Sequence, residues 1–228
     1  MKKTVLVSIA VIVVMVSVSL LFSVEAKDAS IKESNPIILN HVESVDKLPL
    51  SGKTIVLDPG HGGKDIGATG QGGLLEKDIA LQTAKNIEDM LEKEGAEVIL
   101  TRDGDEFLKL SERVDIAEEQ AADLFISLHF DAYETSDVFG ITTYYNKKEN
   151  RSVAKIMQKQ LFKHISDTRD RGISFGDYHV LRENTRPSVL LELGFISNKE
   201  DEQRIQTPEF QAQSSAAIVE GVIKYLSK

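Results

Sequence analysis

Cysteine is absent from all 228 residues. Its absence excludes a disulfide scaffold, cysteine-ligated zinc, a thiol nucleophile and a cysteine-borne lipid anchor. It leaves the redox compartment open. Positive charge is also in short supply: 27 Lys and Arg stand against 36 Asp and Glu, a formal charge of −9. Setting aside residues 1–26 removes Lys2, Lys3 and Glu25, two positive charges and one negative, and makes it −10. Such a chain is a poor candidate for binding nucleic acid or an anionic surface through its overall field.

Phosphate and dinucleotide loops are missing as well. Gly63-Lys64 has Asp58 where a phosphate loop needs its first glycine, and Asp65 where it needs Ser or Thr. The glycines between Gly60 and Gly73 nowhere spell G-x-G-x-x-G. Gly172-Ile-Ser174-Phe-Gly176 matches a serine-hydrolase elbow in letters only. An elbow needs a strand before it and a helix after it, whereas the sequence reads as a charged helix end followed by a strand at Tyr178–Leu181. There is no internal repeat and no second wall- or sugar-binding module.

What is present is a globular composition, 41% hydrophobic and 28% charged, long enough for one domain with a full core. Lys2 and Lys3 precede an uncharged run from Thr4 to Val24, and Val24-Glu25-Ala26 offers small residues for signal-peptide cleavage. Residues 1–26 therefore read as a signal peptide or a membrane anchor, and either outcome exports the remainder. Residues 27–50, with Pro36, Pro49 and His41, read as a linker.

From residue 51 onward strands and helices alternate. Thr54–Leu57, Val98–Thr101, Leu124–Leu128, a more exposed Ile141–Tyr145, Tyr178–Leu181 and Ser188–Leu193 read as strands. Helices are expected from about Asp78 to Glu94 with Gly95 at the cap, over Leu110–Glu119 and Ser152–His164, and after Thr207-Pro208. This is an α/β single domain, a mostly parallel sheet with helices on both faces. In such sheets functional groups gather at the carboxyl ends of the strands.

Three strand ends carry metal-competent groups. The first runs into Asp58-Pro-Gly-His61-Gly-Gly63, the third delivers His129, and the run Val-Leu-Leu-Glu192-Leu-Gly embeds an acid among leucines. A carboxylate there is costly to bury without a cation or hydrogen bonds. Glu76 closes the glycine-rich loop just before a helix. Two histidines and one glutamate make a catalytic zinc set with an open position for water. His61, Glu76 and His129 are then the ligands and Glu192 the base. Taken singly, a strand-end histidine is more often structural, and an acid before a helix is favoured by the dipole. Together at the ends of one sheet they are harder to assign to chance. His179 reads as structural.

Leu57-Asp-Pro-Gly-His-Gly-Gly63, Gly67-Ala68, Leu75-Glu-Lys-Asp78, Ser127-Leu-His-Phe-Asp-Ala132 and Pro187-Ser-Val-Leu-Leu-Glu-Leu-Gly-Phe-Ile-Ser-Asn198 resemble the zinc-dependent N-acetylmuramoyl-L-alanine amidases, the cell-wall family called amidase type 3. The resemblance covers Lys53 to Leu226. It implies a six-stranded sheet and hydrolysis of the amide between N-acetylmuramic acid and L-alanine in peptidoglycan. It also implies Zn²⁺ on His61, Glu76 and His129, with Glu192 as catalytic acid/base. Asp131 stands where many relatives have Asn. Only residues 146–151 separate the fourth strand from the next helix, too few for the zinc-blocking helix of some Gram-negative relatives. The expected partner is peptidoglycan as substrate, with membrane contact only through the N-terminal segment, no nucleic acid, and a monomeric chain. The alternatives are a zinc peptidase cutting within wall peptides and a non-catalytic wall-binding homologue.

Overall fold

In the computed structural model, which describes residues 47–227, the longest apolar runs lie side by side. β1 (Thr54–Pro59), β3 (Leu124–Asp131) and β6 (Ser188–Phe195) are neighbours and parallel. All of β6 is buried. A strand covered on both faces has no polar side to present, so its sequence reads as a continuous run rather than an alternation. β2 (Glu97–Leu100) adds in parallel beside β1. On the other flank β4 (Ile141–Tyr145) pairs antiparallel with β6, and β5 (Asp170–Phe175) pairs parallel with β4. The order β2-β1-β3-β6-β4-β5 is the mostly parallel, six-stranded sheet that the sequence implies.

Strand side chains alternate between faces, and this splits the interior in two. Ile55, Leu57, Leu124, Ile126, Leu128, Val189, Leu191 and Leu193 join a large core with α1 (Glu76–Lys93), α3 (Arg151–His164), α5 (Lys199–Ile205) and α6 (Pro208–Leu226). Each such side chain contributes about 1.5–3 kcal/mol when fully buried, so this face dominates stability. Val56, Phe125 and Leu190 face a much smaller core with α2 (Leu110–Glu119) and the four-residue α4 (His179–Arg182). Asp58, Ser127, His129 and Glu192 share the parity of this second set. The thinly covered face is therefore the polar one.

The helix ends follow their chemistry. Thr207 caps α6 by accepting from the Phe210 N–H, with Pro208 at the first position. Glu76 and Asp78 occupy the first turn of α1 and Lys93 the last, the signs its dipole favours. Gly95, at φ 90°, turns the chain out of α1 as a left-handed cap.

Several expectations are corrected. Tyr178–Leu181 is not a strand: its last three residues lie in α4, and the fifth strand is β5 instead. Val180 and Leu181 are both buried although adjacent, a helical pattern that so short a run cannot distinguish from a strand. The Gly172–Gly176 stretch accordingly lies on and just after an edge strand, with Ser174 paired to Tyr144 and not at a strand-to-helix turn. β4 is more buried than expected because β5 covers its outer edge. Glu76 is the first residue of α1 rather than its predecessor. Leu50, placed at the end of the linker, is fully buried in the large core, with its N–H bonded to Glu94 O at 2.9 Å. The leader, residues 27–46 and His41 lie outside the described residues. Among the described residues no helix is long and apolar enough to cross a membrane.

Candidate metal and catalytic centre

The site begins with a loop that two buried arginines hold. Asp58, 1% exposed, accepts hydrogen bonds from Thr101 Oγ1, Ser127 Oγ and Arg113 Nη1, each 2.7 Å. Burial alone would raise its pKa, but the Arg113 charge and the three hydrogen bonds outweigh that and hold it below the usual carboxylate range. Arg113, anchored in this way, donates to Pro59 O at 2.8 Å and to His61 O at 2.6 Å. Arg102 donates to Pro59 O at 3.0 Å and to Gly60 O and Lys77 O at 2.8 Å. With its carbonyls fixed, the loop carries His61 at φ 60°, a left-handed conformation that few residues other than glycine adopt. Gly60 lies against the His129 ring so closely that a Cβ would stand 2.3 Å from Cε1. Only glycine leaves the ring its position.

Glu76 joins the two histidines. Its Oε2 is 3.1 Å from His61 Nε2 and accepts from the Ala68 N–H at 2.8 Å. Its Oε1 is 2.9 Å from His129 Nδ1 and accepts from the Phe130 N–H at 3.1 Å. Burial would raise its pKa, yet hydrogen bonds and charge from His129 and His61 hold it far below normal. His61 Nδ1 is 3.0 Å from Asp65 Oδ1. Burial would lower the His61 pKa, but Glu76 and then Asp65 raise it.

One ligand atom from each of His61, Glu76 and His129 lies within 4.8 Å of the others, an arrangement that can hold a metal ion. Donors in a tetrahedral zinc site, at about 2.0–2.1 Å from the ion, stand roughly 3.4 Å apart. The donor set, two imidazoles and a carboxylate, suits a borderline divalent cation with a position left open.

Glu192 projects from β6 directly opposite His129 of β3. It is 6% exposed and its Oε2 has no hydrogen-bond partner. Burial first, then the negative charges of Asp131 and Glu76, push its pKa well above the ordinary value. A groove of about 350 Å³ opens over these groups, because α4 is too short to cover the polar face of the sheet. Phe107, 40% exposed, and Tyr178, 37% exposed, line this groove. Tyr178 packs edge-on against Tyr144 at 5.1 Å between ring centroids. His179, read as structural from the sequence, is part of the groove wall.

The structure thus brings together all four residues singled out in the sequence. Sequence reasoning missed the supports: Asp65, Arg102, Arg113 and the partners of Asp58. Asp58 was visible in the loop motif, but nothing near either arginine in the sequence marks it as a loop clamp.

This geometry has counterparts. Residues 55–224 match the family model described as N-acetylmuramoyl-L-alanine amidase. The Bacillus subtilis protein YqiI is 41% identical over 181 residues, which are 78% of this chain and 86% of YqiI. The probable cell wall amidase LytH of Staphylococcus epidermidis is 41% identical over 187 residues, 81% of this chain but 62% of LytH. Among solved structures, the N-acetylmuramoyl-L-alanine amidase AmiC2 of Nostoc punctiforme superposes with a TM-score of 0.75 at 39% identity, covering 78% of this chain and 99% of that one. The match runs from β1 through nearly all of α6 and contains the whole His61–Glu76–His129–Glu192 constellation, so the chain belongs to the N-acetylmuramoyl-L-alanine amidase family.

Proposed function

We propose that this chain is a zinc-dependent hydrolase that cuts the amide bond between the lactyl group of N-acetylmuramic acid and L-alanine in peptidoglycan. The observation that carries the reading is the convergence of two imidazoles and Glu76, with an unpartnered buried carboxylate facing them from the neighbouring strand.

His61, Glu76 and His129 would hold the ion, which when bound would supply positive charge to polarise the amide carbonyl and to acidify a water. Asp65 orients His61 through Nδ1, and Glu76 is itself fixed by the Ala68 and Phe130 N–H groups. Glu192 accepts a proton from the attacking water and returns it to the departing nitrogen of L-alanine. The C–N bond breaks, the water oxygen stays on the lactyl carbonyl carbon as a new carboxylate, and the peptide leaves with a free amine. Without metal, Glu192 keeps its proton beyond the usual carboxylate range. Phe107 and Tyr178, in the groove lining, offer exposed rings to the apolar faces of substrate.

Cell-wall amidase relatives support a substrate in the cell wall, and a leader in residues 1–26 would supply the export that this reading requires. Mass spectrometry of purified peptidoglycan treated with the full chain tests the bond assignment. Products carrying a free lactyl carboxyl and an N-terminal L-alanine are expected. New termini inside the stem peptide would identify a peptidase instead.

A further inference from the structure

Helix α3 carries Arg151, Lys155, Lys159 and Lys163 and not one Asp or Glu. At four-residue spacing these side chains follow one flank of the helix, about 6 Å apart along the axis. All four are exposed, while Val153, Ala154, Met157 and Leu161 bury the opposite side. The stripe runs against the character of a chain whose formal charge is −9.

Among the described residues the ion pairs on this flank all go to Glu220, from Lys163 at 2.9 Å, His164 at 3.1 Å and Lys224 at 3.5 Å. None of those ion pairs involves Arg151, Lys155 or Lys159. Like charges four residues apart destabilise a helix, and a countercharge from outside relieves that repulsion. Beside the row, between α3 and β5, runs a shallow groove lined by Lys155, Lys159, Lys163, Phe162 and Ile173. Its acid, Asp170, already accepts from Gln158 Nε2 and the Gly172 N–H.

We propose that this flank of α3 is a docking surface for a linear polyanion, a phosphodiester-linked polymer lying along the α3–β5 groove with its charges against the basic row. A narrow polymer fits better than a bilayer. α6 packs against both α3 and α1, and α1, unlike α3, exposes the acids Asp89 and Glu92 among its lysines Lys85 and Lys93 in the same layer. A flat anionic surface wide enough to cover the layer meets those acids. α3 packs on the large-core face and the catalytic groove opens on the other, so a docked polymer leaves the groove free. The wall-hydrolase reading enters only in saying where such a polymer is met.

The test uses the full chain in non-ionic detergent, with inorganic polyphosphate as the probe and a triple variant Arg151→Gln, Lys155→Gln, Lys159→Gln. The wild-type chain is expected to bind at low salt and to weaken roughly 20-fold between about 50 and 200 mM salt, the counterion release of about three contacts. The variant should lose at least about tenfold in affinity and most of the salt slope, with its circular dichroism and its turnover of soluble wall fragments unchanged. Turnover is read separately, so an inactive chain that binds polyphosphate overturns the amidase reading alone. Equal polyphosphate binding by the two chains, or none by either, overturns the docking surface. So does stripe-dependent binding to phosphatidylglycerol vesicles without polyphosphate binding, which would reassign the flank to a membrane.

Discussion

Glu192 and His129 stand opposite each other on adjacent parallel strands, the one buried without a hydrogen-bond partner for Oε2, the other bonded to Glu76 at 2.9 Å. The pairing sets a proton-carrying group beside the metal-competent cluster without making it part of that cluster. Glu192 gains no countercharge in the metal-free protein and pays for its burial with a raised pKa.

That burial has a consequence for stability. An acid whose folded pKa is raised stabilises the fold below its unfolded pKa, and this contribution is lost as pH rises towards the folded value. Each unit between the two values is worth about 1.4 kcal/mol. Chelator-stripped Glu192→Gln should therefore become progressively more stable than stripped wild-type protein as pH rises above the ordinary carboxylate range. Denaturant midpoints measured along that rise in pH check it. A difference that does not change with pH would refute the assignment of a raised pKa.

The Asp58–Arg113 pair predicts a large effect of the opposite sign. The two side chains are 1% and 3% exposed and 2.7 Å apart. Arg113→Met leaves Asp58 buried without its countercharge, which should cost about 3–5 kcal/mol. It also releases the His61 carbonyl, so metal affinity should fall as well. Adding Asp58→Asn should restore part of the stability. Urea unfolding of the wild type, Arg113→Met and the double variant measures this, and a loss below about 1 kcal/mol for Arg113→Met would contradict the buried-pair account.

Metal binding should depend on pH through His61. A proton there competes with the ion, and because Glu76 and Asp65 raise the His61 pKa, competition begins at a higher pH than for an unperturbed imidazole. Apparent affinity should drop about tenfold for each pH unit below that pKa. Asp65→Asn removes one of the two raising carboxylates, and tight binding should then persist to lower pH. Competition titrations with a chromophoric chelator across a pH series check it. An unchanged or higher midpoint in Asp65→Asn would contradict the stated cause.

The central strands were legible because burial on both faces leaves β1, β3 and β6 as uninterrupted apolar runs. The Thr207-Pro208 start of α6 was legible because capping is a local, side-chain-to-backbone matter. β5 and α4 were exchanged because β5 is an exposed edge strand with little apolar content, while the Val180-Leu181 pair carries no period. His61, Glu76, His129 and Glu192 were all named from sequence, since each lies in or beside the glycine-rich loop or stands out as a polar residue within an apolar strand run. Arg102 and Arg113 were not, because their partners are backbone carbonyls far away along the chain. The α3 stripe shows the limit of a summed charge. A net value of −9 argues against attraction to an anionic polymer, and a local row of four basic side chains argues for it.

The central claim is the division of labour between three ligands and one base, and zinc content measured together with turnover tests it most directly. Wild-type protein and Glu192→Gln should each hold about one zinc per chain, while turnover of Glu192→Gln falls by roughly 10²–10⁴-fold. His61→Ala, His129→Ala and Glu76→Ala should lose both zinc and activity. Loss of zinc from Glu192→Gln, with zinc retained in Glu76→Ala, would reverse the two glutamates and contradict the account.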